Sequence, residues 1–529
     1  MITLLDYGAG NVRSVRNAIQ KLGCEVVDAR SPEDIVNSEK LIFPGVGSFG
    51  LVMDQLRRDG FVEPLLRRIA MDKPFLGICV ALQALFEGSE ESPGIAGLGV
   101  LRGLVKRFSA PNLSVPHIGW NNIRIKKKCS LFDDYHGEKL YFVHSYHGTV
   151  ENLPDTWRLA DCDYGEPFVA AVCRGNTAAC QFHPEKSGDA GLRILERFLG
   201  DDQITVFSSI SDRAAEKTTL ARRVIACLDV RSNDRGDLVV TKGDQYDVRE
   251  AGEVRNLGKP VDLAHRYFCE GADEVTFLNI TGFRDFPLSD QPMLDVLKQT
   301  SEKVFVPLTI GGGIREFTDA NGVFYSALDV ASEYFRSGAD KISIGSDAVY
   351  AAEKYLDGGR REGTSSIEQI SRVYGAQAVV ISVDPRRVYV DAPASTPHHT
   401  IKTALPGPNG EQYCWYQCTV KGGREGRDLD VIQLVTSCEK LGAGEILLNC
   451  IDRDGTNSGF DLELINHVKE FVTIPVIASS GAGSVEHFRE VFTATAAEAA
   501  LAAGIFHRRE VSISDVKTTM EQHNIPCRN

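Results

Sequence analysis

Cys79 ends the short apolar run Pro74-Phe75-Leu76-Gly77-Ile78, and some hundred residues later comes Gln181-Phe182-His183-Pro184-Glu185. Together these supply a thiol, a base to take its proton and a carboxylate to orient the base. The chemistry of such a set is nucleophilic attack on an acyl carbon. For the thiol to stand at the mouth of a sheet, the apolar run must be a strand that stops abruptly and turns into a helix. The first N–H groups of that helix then favour thiolate. His183 and Glu185, two apart, are expected on one face of a second strand. Most of the 13 cysteines read as small buried hydrophobes; Cys79 is set apart by its companions.

A second group of candidates lies in the C-terminal half. Asp229 closes Ile225-Ala226-Cys227-Leu228, and Asp384 closes Val379-Val380-Ile381-Ser382-Val383. A lone aspartate at a strand end is most often a helix cap. Two at corresponding points of one mouth suit paired proton transfer, one carboxylate accepting while the other donates. Gly-rich turns offer the complementary binding chemistry: Gly313 with Gly345 and Ser346 in one half, and Asp454-Gly455, Gly481 and Ala503-Gly504 in the other. Such turns let backbone N–H groups and helix starts approach an anion without side-chain obstruction. Two matched sets predict a substrate carrying a phosphate at each end.

Positioning these residues requires strands that end together. Short Val/Ile/Leu-rich runs alternate with helical segments through both halves, the pattern of an α/β protein with parallel strands. The C-terminal half also contains an echo. Gly271-Ala272-Asp273-Glu274 leads to Phe277-Leu278-Asn279-Ile280, and 171 positions on, Gly442-Ala443-Gly444-Glu445 leads to Leu447-Leu448-Asn449-Cys450. Pro307 and Pro475, before the glycines of two later strands, are 168 apart. A duplicated half of about four βα units builds an eight-stranded (β/α) barrel, with its chemistry at the C-terminal strand ends. Apolar periodicity falters at Gly200-Asp201-Asp202-Gln203 and resumes at Arg222-Arg223-Val224. The expected organisation is one domain over 1–200, a linker over 201–220 and the barrel over 221–529.

Length and composition agree with two cores: 529 residues, 43% hydrophobic and 25% charged. A formal net charge of −14 argues against a nucleic-acid backbone as partner, and Lys126-Lys127-Lys128 reads as a solvated strand end. No run approaches the roughly 18 apolar residues of a membrane span, so a soluble protein is expected. The odd, scattered cysteines form no disulfide framework, and Cys414 and Cys418 lack companions at zinc spacing. Reduced thiols and no bound metal are expected. Met1 leads directly into Ile2-Thr3-Leu4-Leu5, so no targeting segment is expected.

Residues 1–200 resemble class I glutamine amidotransferases, on the Cys79, His183 and Glu185 set, Asp6-Tyr7-Gly8-Ala9-Gly10-Asn11 and Pro44-Gly45-Val46-Gly47. The resemblance implies hydrolysis of glutamine to glutamate and ammonia on a mixed or parallel sheet with flanking helices. Gln83 would contact substrate, and the Val46 and Gly47 amides would be the oxyanion donors. The Gly-rich segment can hold those amides away, so hydrolysis is expected to be slow until the barrel is occupied. In one departure, the family's glycine two residues after the cysteine is Ala81. Its methyl is expected to push the helix outward, so that Ala81→Gly would speed glutamine turnover.

Residues 221–529 resemble the cyclases of the imidazole glycerol phosphate synthase family, on Asp452-Arg453-Asp454-Gly455-Thr456, Ala478-Ser479-Ser480-Gly481-Ala482-Gly483 and Phe506-His507. With a glutaminase fused ahead, the chain resembles the single-chain eukaryotic branch, the plant type most closely. The resemblance implies Asp229 as general base, Asp384 as general acid and Lys242 as a mobile-loop contact to substrate. It places Arg223, Glu274, Lys341 and Glu445 in a charged ring where ammonia enters the barrel. Lys186 and Asp340 would be an interdomain pair. The implied substrates are glutamine and a bis-phosphorylated ribonucleotide, with no cofactor and no separate glutaminase subunit. The implied compartment is the plastid stroma in a plant and the cytoplasm otherwise. Segments near 350–366 and 391–425 are additions to the smallest family barrels, and Asn279 and Ser480 replace a common Asp and Gly. Two rivals are weaker. Pyridoxal phosphate synthesis needs Schiff-base lysines where this chain has aspartates, and an inactive glutaminase scaffold rests on Ala81 alone.

Overall fold

A computed structural model describes the chain except residues 9, 152, 210–216, 236, 242–248, 251–252, 255, 281–287 and 289–291. In the N-terminal part eight strands form one sheet, in the order Val26–Asp28, Ile2–Leu4, Lys40–Phe43, Phe75–Ile78, Thr177–Cys180, Glu166–Arg174, Arg158–Tyr164 and Arg124–Ile125. Pairings among the first five are parallel, and those beyond Thr177–Cys180 are antiparallel. Phe75–Ile78 lies between two parallel neighbours and is buried along its whole length. That is why it reads as an unbroken apolar run rather than an alternating one.

The C-terminal part is a closed barrel of parallel strands: β1 (Arg223–Ser232), β2 (Glu274–Asn279), β3 (Leu308–Gly311), β4 (Lys341–Ile344), β5 (Val379–Val383), β6 (Glu445–Asn449), β7 (Val476–Ser479) and β8 (Ala499–Ala502). Closure comes from β8 pairing back on β1, Arg223 opposite Ala499 through Ala226 opposite Ala502. Inward-facing Ile225, Cys227, Val380, Leu447, Ile477, Ala499 and Leu501 fill the interior, while the outward faces pack on the surrounding helices. The addition near 391–425 belongs to a four-stranded antiparallel sheet that follows β5. Arg387 pins this sheet to the barrel through Asp461 at 2.7 Å and Glu463 at 2.9 Å.

Three details differ from the sequence reading. Residues 201–220 are not all featureless: Val206–Ser209 pairs antiparallel with Lys127–Cys129, and the Thr218 hydroxyl accepts the Asp163 amide at 2.7 Å. Edge backbone there is satisfied by β-pairing, which a polar sequence does not announce. Lys126 lies 3.8 Å from Asp161, so the lysine run is only partly solvated. Glu185 sits in a single 3-10 turn, Pro184–Lys186, beyond the end of Thr177–Cys180. The His183–Glu185 spacing is therefore set by a Pro-initiated turn rather than by strand alternation.

The N-terminal part covers the N-terminal strand ends of the barrel. Lys186 pairs with Asp340 at 2.7 Å, and Asn11 donates to the same carboxylate at 2.8 Å and to the Gly338 carbonyl at 3.0 Å. The Trp120 indole donates to the Asp273 carbonyl at 3.0 Å, with Arg528 lying over its ring. Ile118, Trp120 and Tyr141 join the barrel's hydrophobic cluster, and Phe305 of the barrel joins the opposite one. The two cores are continuous across this surface.

Candidate active sites

The strand Phe75–Ile78 ends at Cys79, which takes φ +51° and ψ −106° and caps the five-residue helix Val80–Ala84. A non-glycine residue held in that region is strained, a state that persists only where its surroundings fix it. Here the Cys79 amide donates to the Cys180 carbonyl at 2.7 Å. Gly45 abuts the same turn: a Cβ on it would fall 1.9 Å from the Ile78 carbonyl oxygen. Only glycine fits.

His183 Nδ1 meets Glu185 Oε1 at 2.8 Å, with both side chains buried. Burial alone would depress the imidazolium, but the charges of Glu185 and Cys79, with hydrogen bonds to both, outweigh it and hold the His183 pKa well above its ordinary value. The geometry thus favours an imidazolium between a carboxylate and the Cys79 sulfur. Gln181 Nε2 donates to that sulfur at 3.4 Å, and Gln83 Nε2 donates to Gln181 Oε1 at 3.2 Å. The Val46 amide, an expected oxyanion donor, is instead bonded to the Tyr7 hydroxyl at 2.9 Å. Val46, Gly47, Cys79, His183, Tyr141 and Lys186 border a cavity of about 40 Å³, large enough for a molecule the size of ammonia.

The Ala81 methyl faces the strand that leads into the elbow. It lies over Gly77, 3.3 Å from where a Cβ on that residue would be, and Ala81 is fully buried. The absence of a side chain on Gly77 leaves the strand face open to this methyl.

Asp340, on the border of the Cys79 cavity, adjoins a charged ring at Lys341. Arg223, Glu274, Lys341 and Glu445 are the first residues of β1, β2, β4 and β6, and none is accessible to solvent. Arg223 pairs with Glu274 at 2.9 Å and with Glu445; Lys341 meets Glu274 at 2.8 Å and Glu445 at 2.6 Å. Burial would push the Glu445 carboxyl up, but Arg223 and Lys341 outweigh it and hold it below the usual range. Thr309 adds a hydrogen bond to Glu274 at 2.6 Å.

At the opposite strand ends two cavities of about 580 and 510 Å³ share Asp229, Asp454, Ser480 and Ala503. The second is also bordered by Asp384, Gly313, Gly345 and Ser346, and the first by Gly455, Gly481 and Gly504. Gly345 and Ser346 open the helix Ser346–Gly358, whose start presents N–H groups to an anion. Burial, with the nearby charge of Asp454, raises the Asp384 pKa against the opposing hydrogen bond from Asn449, whose Nδ2 lies 2.8 Å from Asp384 Oδ1. Ser480 takes φ +72°, a conformation that favours glycine. Lys242 lies outside the described residues.

Known families match both parts. The model described as glutamine amidotransferase class-I matches residues 3–201, and that described as histidine biosynthesis protein matches 223–512. The chain is 58% identical to the chloroplastic imidazole glycerol phosphate synthase hisHF of Arabidopsis thaliana, across 100% of this chain and 89% of the relative. It is 56% identical to the Schizosaccharomyces pombe enzyme of the same name, across 100% of both. The barrel part alone is similar to the HisF subunit of Methanosphaera stadtmanae, 40% identical over 58% of this chain and 99% of that one. The chain belongs to the fused imidazole glycerol phosphate synthases. These join a glutamine amidotransferase to a cyclase of histidine biosynthesis, so no separate glutaminase subunit is needed.

Within this fused synthase, sequence reasoning gave no role to Gln181, Asn449, Thr309 or Tyr7. Signals for the first two were present. Gln181 stands two residues before His183, and Asn449 is the echo of Asn279 at a strand end. Thr309 and Tyr7 carry no local signal, because each acts on a partner far away in sequence.

Proposed function

We propose that Cys79, His183 and Glu185 hydrolyse glutamine and that the ammonia passes through the charged ring to the carboxylates at the far end of the barrel. The thiolate attacks the side-chain amide, His183 protonates the departing ammonia and later activates water against the thioester, and Glu185 holds the imidazole. Val46 and Gly47 supply oxyanion donors once their amides turn toward the thiol, and Gln83 braces the pocket through Gln181. The observation that carries this reading is that the Cys79 cavity is bordered by Asp340, the residue before Lys341 of the ring, and by Tyr141, whose phenol feels the charges of Arg223, Glu274 and Glu445. Lys186 and Asp340 clamp the two parts at its edge.

Ammonia must arrive unprotonated, because ammonium has no lone pair to attack with and is strongly hydrated. The ring is closed, so passage requires one of its contacts to open. From Arg223 to Asp229 the path along β1 is roughly 20 Å at about 3.3 Å per residue, through the apolar barrel interior. At the mouth, the Gly313, Gly345 and Ser346 turns hold one phosphate, and Asp454-Gly455, Gly481, Ala503 and Gly504 hold the other, with Lys242 reaching substrate from its loop. The substrate is phosphoribulosyl-formimino-aminoimidazole-carboxamide ribonucleotide. Ammonia adds to it, and cleavage with ring closure gives imidazole glycerol phosphate and aminoimidazole carboxamide ribonucleotide. Asp384, whose pKa is raised, donates the proton as general acid, and Asp229 accepts one as general base.

The enzyme acts in the plastid stroma if the chain is from a plant and in the cytoplasm otherwise. The Arabidopsis relative is named chloroplastic, and among the described residues no helix is long and apolar enough to cross a membrane. Mixing the protein with glutamine and the formimino ribonucleotide tests the whole reading. Glutamate and imidazole product should form in equal amounts, and loss of glutamine without consumption of the ribonucleotide would contradict it.

A further inference from the structure

We infer that the Tyr7 hydroxyl is the catch that holds the Val46 amide out of the oxyanion position, and that releasing it switches glutamine hydrolysis on. The inference rests on the assignment of Cys79 as nucleophile and deepens it. Tyr7 Oη accepts the Val46 N–H at 2.9 Å and donates to the Val46 carbonyl at 2.6 Å. One hydroxyl therefore holds both polar groups of a single residue. An amide has one proton, and while it points at Tyr7 it cannot serve an oxyanion on the Cys79 adduct.

The surroundings make Val46 the moving part. Behind it, Gly45 is pressed against the Ile78 carbonyl and the Val80 amide. To one side, Gly10 leaves just enough space for the clasped position: a Cβ there would fall 2.3 Å from the Val46 Cβ. Tyr7 itself is buried and packs edge-on to Phe43, with ring centroids 5.7 Å apart, so it is a fixed post. Burial also pushes its phenol pKa up, so the donor proton stays in place.

Ahead of Val46 the chain is tied to the barrel. The Ser48 amide donates to the Val373 carbonyl and the Ser48 hydroxyl to the Arg372 carbonyl, both at 3.3 Å. Val373 lies in the last turn of the helix Ser366–Tyr374, which leads through Ala376–Ala378 into β5. Asp384, the general acid at the end of that strand, is 11 positions on. A shift of the loaded β5 therefore has a short path to the Gly47–Ser48 hinge, covalent as far as Val373 and then through these two hydrogen bonds. Gly47, at φ +125°, can take up the rotation.

Tyr7→Phe in the full-length chain removes the catch and keeps the ring. Without the ribonucleotide, kcat for glutamine hydrolysis should rise about tenfold, the equivalent of between one and two ordinary hydrogen bonds, with KM unchanged. The ratio of stimulated to unstimulated rate should fall by the same factor. The aldehyde analogue of glutamine, γ-glutamyl aldehyde, forms a thiohemiacetal with the cysteine that needs the oxyanion donor, and its affinity without the ribonucleotide should tighten about tenfold. Ammonia-dependent cyclisation serves as the fold control and should not change. An unchanged basal rate and aldehyde affinity would overturn the catch, as would a fall in both the basal and the stimulated rate. Cys79→Ala run in parallel separates the two levels: if it still hydrolyses glutamine, the nucleophile is misassigned, whereas an inert Cys79→Ala beside an unmoved Tyr7→Phe sinks only the catch.

Discussion

Around Asp229 and Asp384 the backbone is regular: Asp229 lies within β1, three residues before its end at Ser232, Asp384 directly follows β5, Gly345 and Ser346 open a 13-residue helix, and the cavities they border are open. Around Cys79 the opposite holds. Cys79 sits at φ +51°, His183 directly precedes a 3-10 turn, and the expected oxyanion amide is bonded to Tyr7. The expected phosphate turns border open cavities, whereas the expected oxyanion amide is already engaged by Tyr7. A reactive thiol that hydrolysed glutamine without an acceptor would release ammonia that water then protonates. The difference teaches that restraint is built into the donor site, where waste would occur, and not into the acceptor site.

Removing the nucleophile should produce the largest effect and break the comparison most sharply. Cys79→Ala should lower glutamine-dependent turnover by about 10⁴ or more while leaving ammonia-dependent cyclisation intact at a pH where free ammonia is present. Loss of both activities in a folded variant would show that the two regions are not separate machines. Next, Asp384→Asn and Asp229→Asn should each lower turnover with either nitrogen donor by about 10² to 10⁴. Ribonucleotide binding should be retained, because the phosphate turns carry it. Near wild-type cyclisation by Asp384→Asn with free ammonia would mean the acid is misassigned.

Acid should separate the two parts by stability. His144 is buried, with Nδ1 2.8 Å from the Tyr146 carbonyl and Nε2 3.2 Å from His117. Burial first, and then the neighbouring His147 and His183 charges, lower its pKa to about 3 against the Tyr146 hydrogen bond. Burial and the same kind of neighbours hold His117 well below its ordinary value. A native pKa below the unfolded one means that the unfolded chain binds more protons, so stability falls as pH drops below about 6.5. For His144 the loss is about 2 kcal/mol at pH 5. His183, with a raised pKa, acts in the window above about 6.5 and does not offset this. The protection factors of amides in the strand Leu140–His144 should fall as pH drops from 6.5 to 5, and His144→Asn should flatten that slope. The smallest effect concerns Ala81. Because Gly77 already makes room for the methyl, Ala81→Gly should change glutamine turnover by no more than about twofold and cost about 1 kcal/mol as glycine in a helix, read from initial rates and a denaturant midpoint.

Much of this was legible from residue types. The abrupt end of an apolar run at Cys79 revealed the elbow, and the Asn279 and Asn449 echo revealed a duplicated barrel, because both depend on local periodicity. The ring of Arg223, Glu274, Lys341 and Glu445 came only through family resemblance: four strand starts up to 222 positions apart converge only when the sheet closes. The Val206–Ser209 pairing was hidden because edge strands can be polar, and the space for Ala81 because the compensating glycine, Gly77, sits on a different element. Tyr7 stood in a quoted motif, yet its partner Val46 is 39 positions away, and no sequence pattern announces a side chain that restrains another segment's backbone.

The central claim is that glutamine hydrolysis waits for the barrel, and initial rates of glutamate release with and without saturating formimino ribonucleotide test it most directly. A single oxyanion donor is worth about 10² to 10³ in rate, so the ribonucleotide should accelerate glutamate release by that factor in the wild-type chain. Equal rates in its presence and absence would contradict the account.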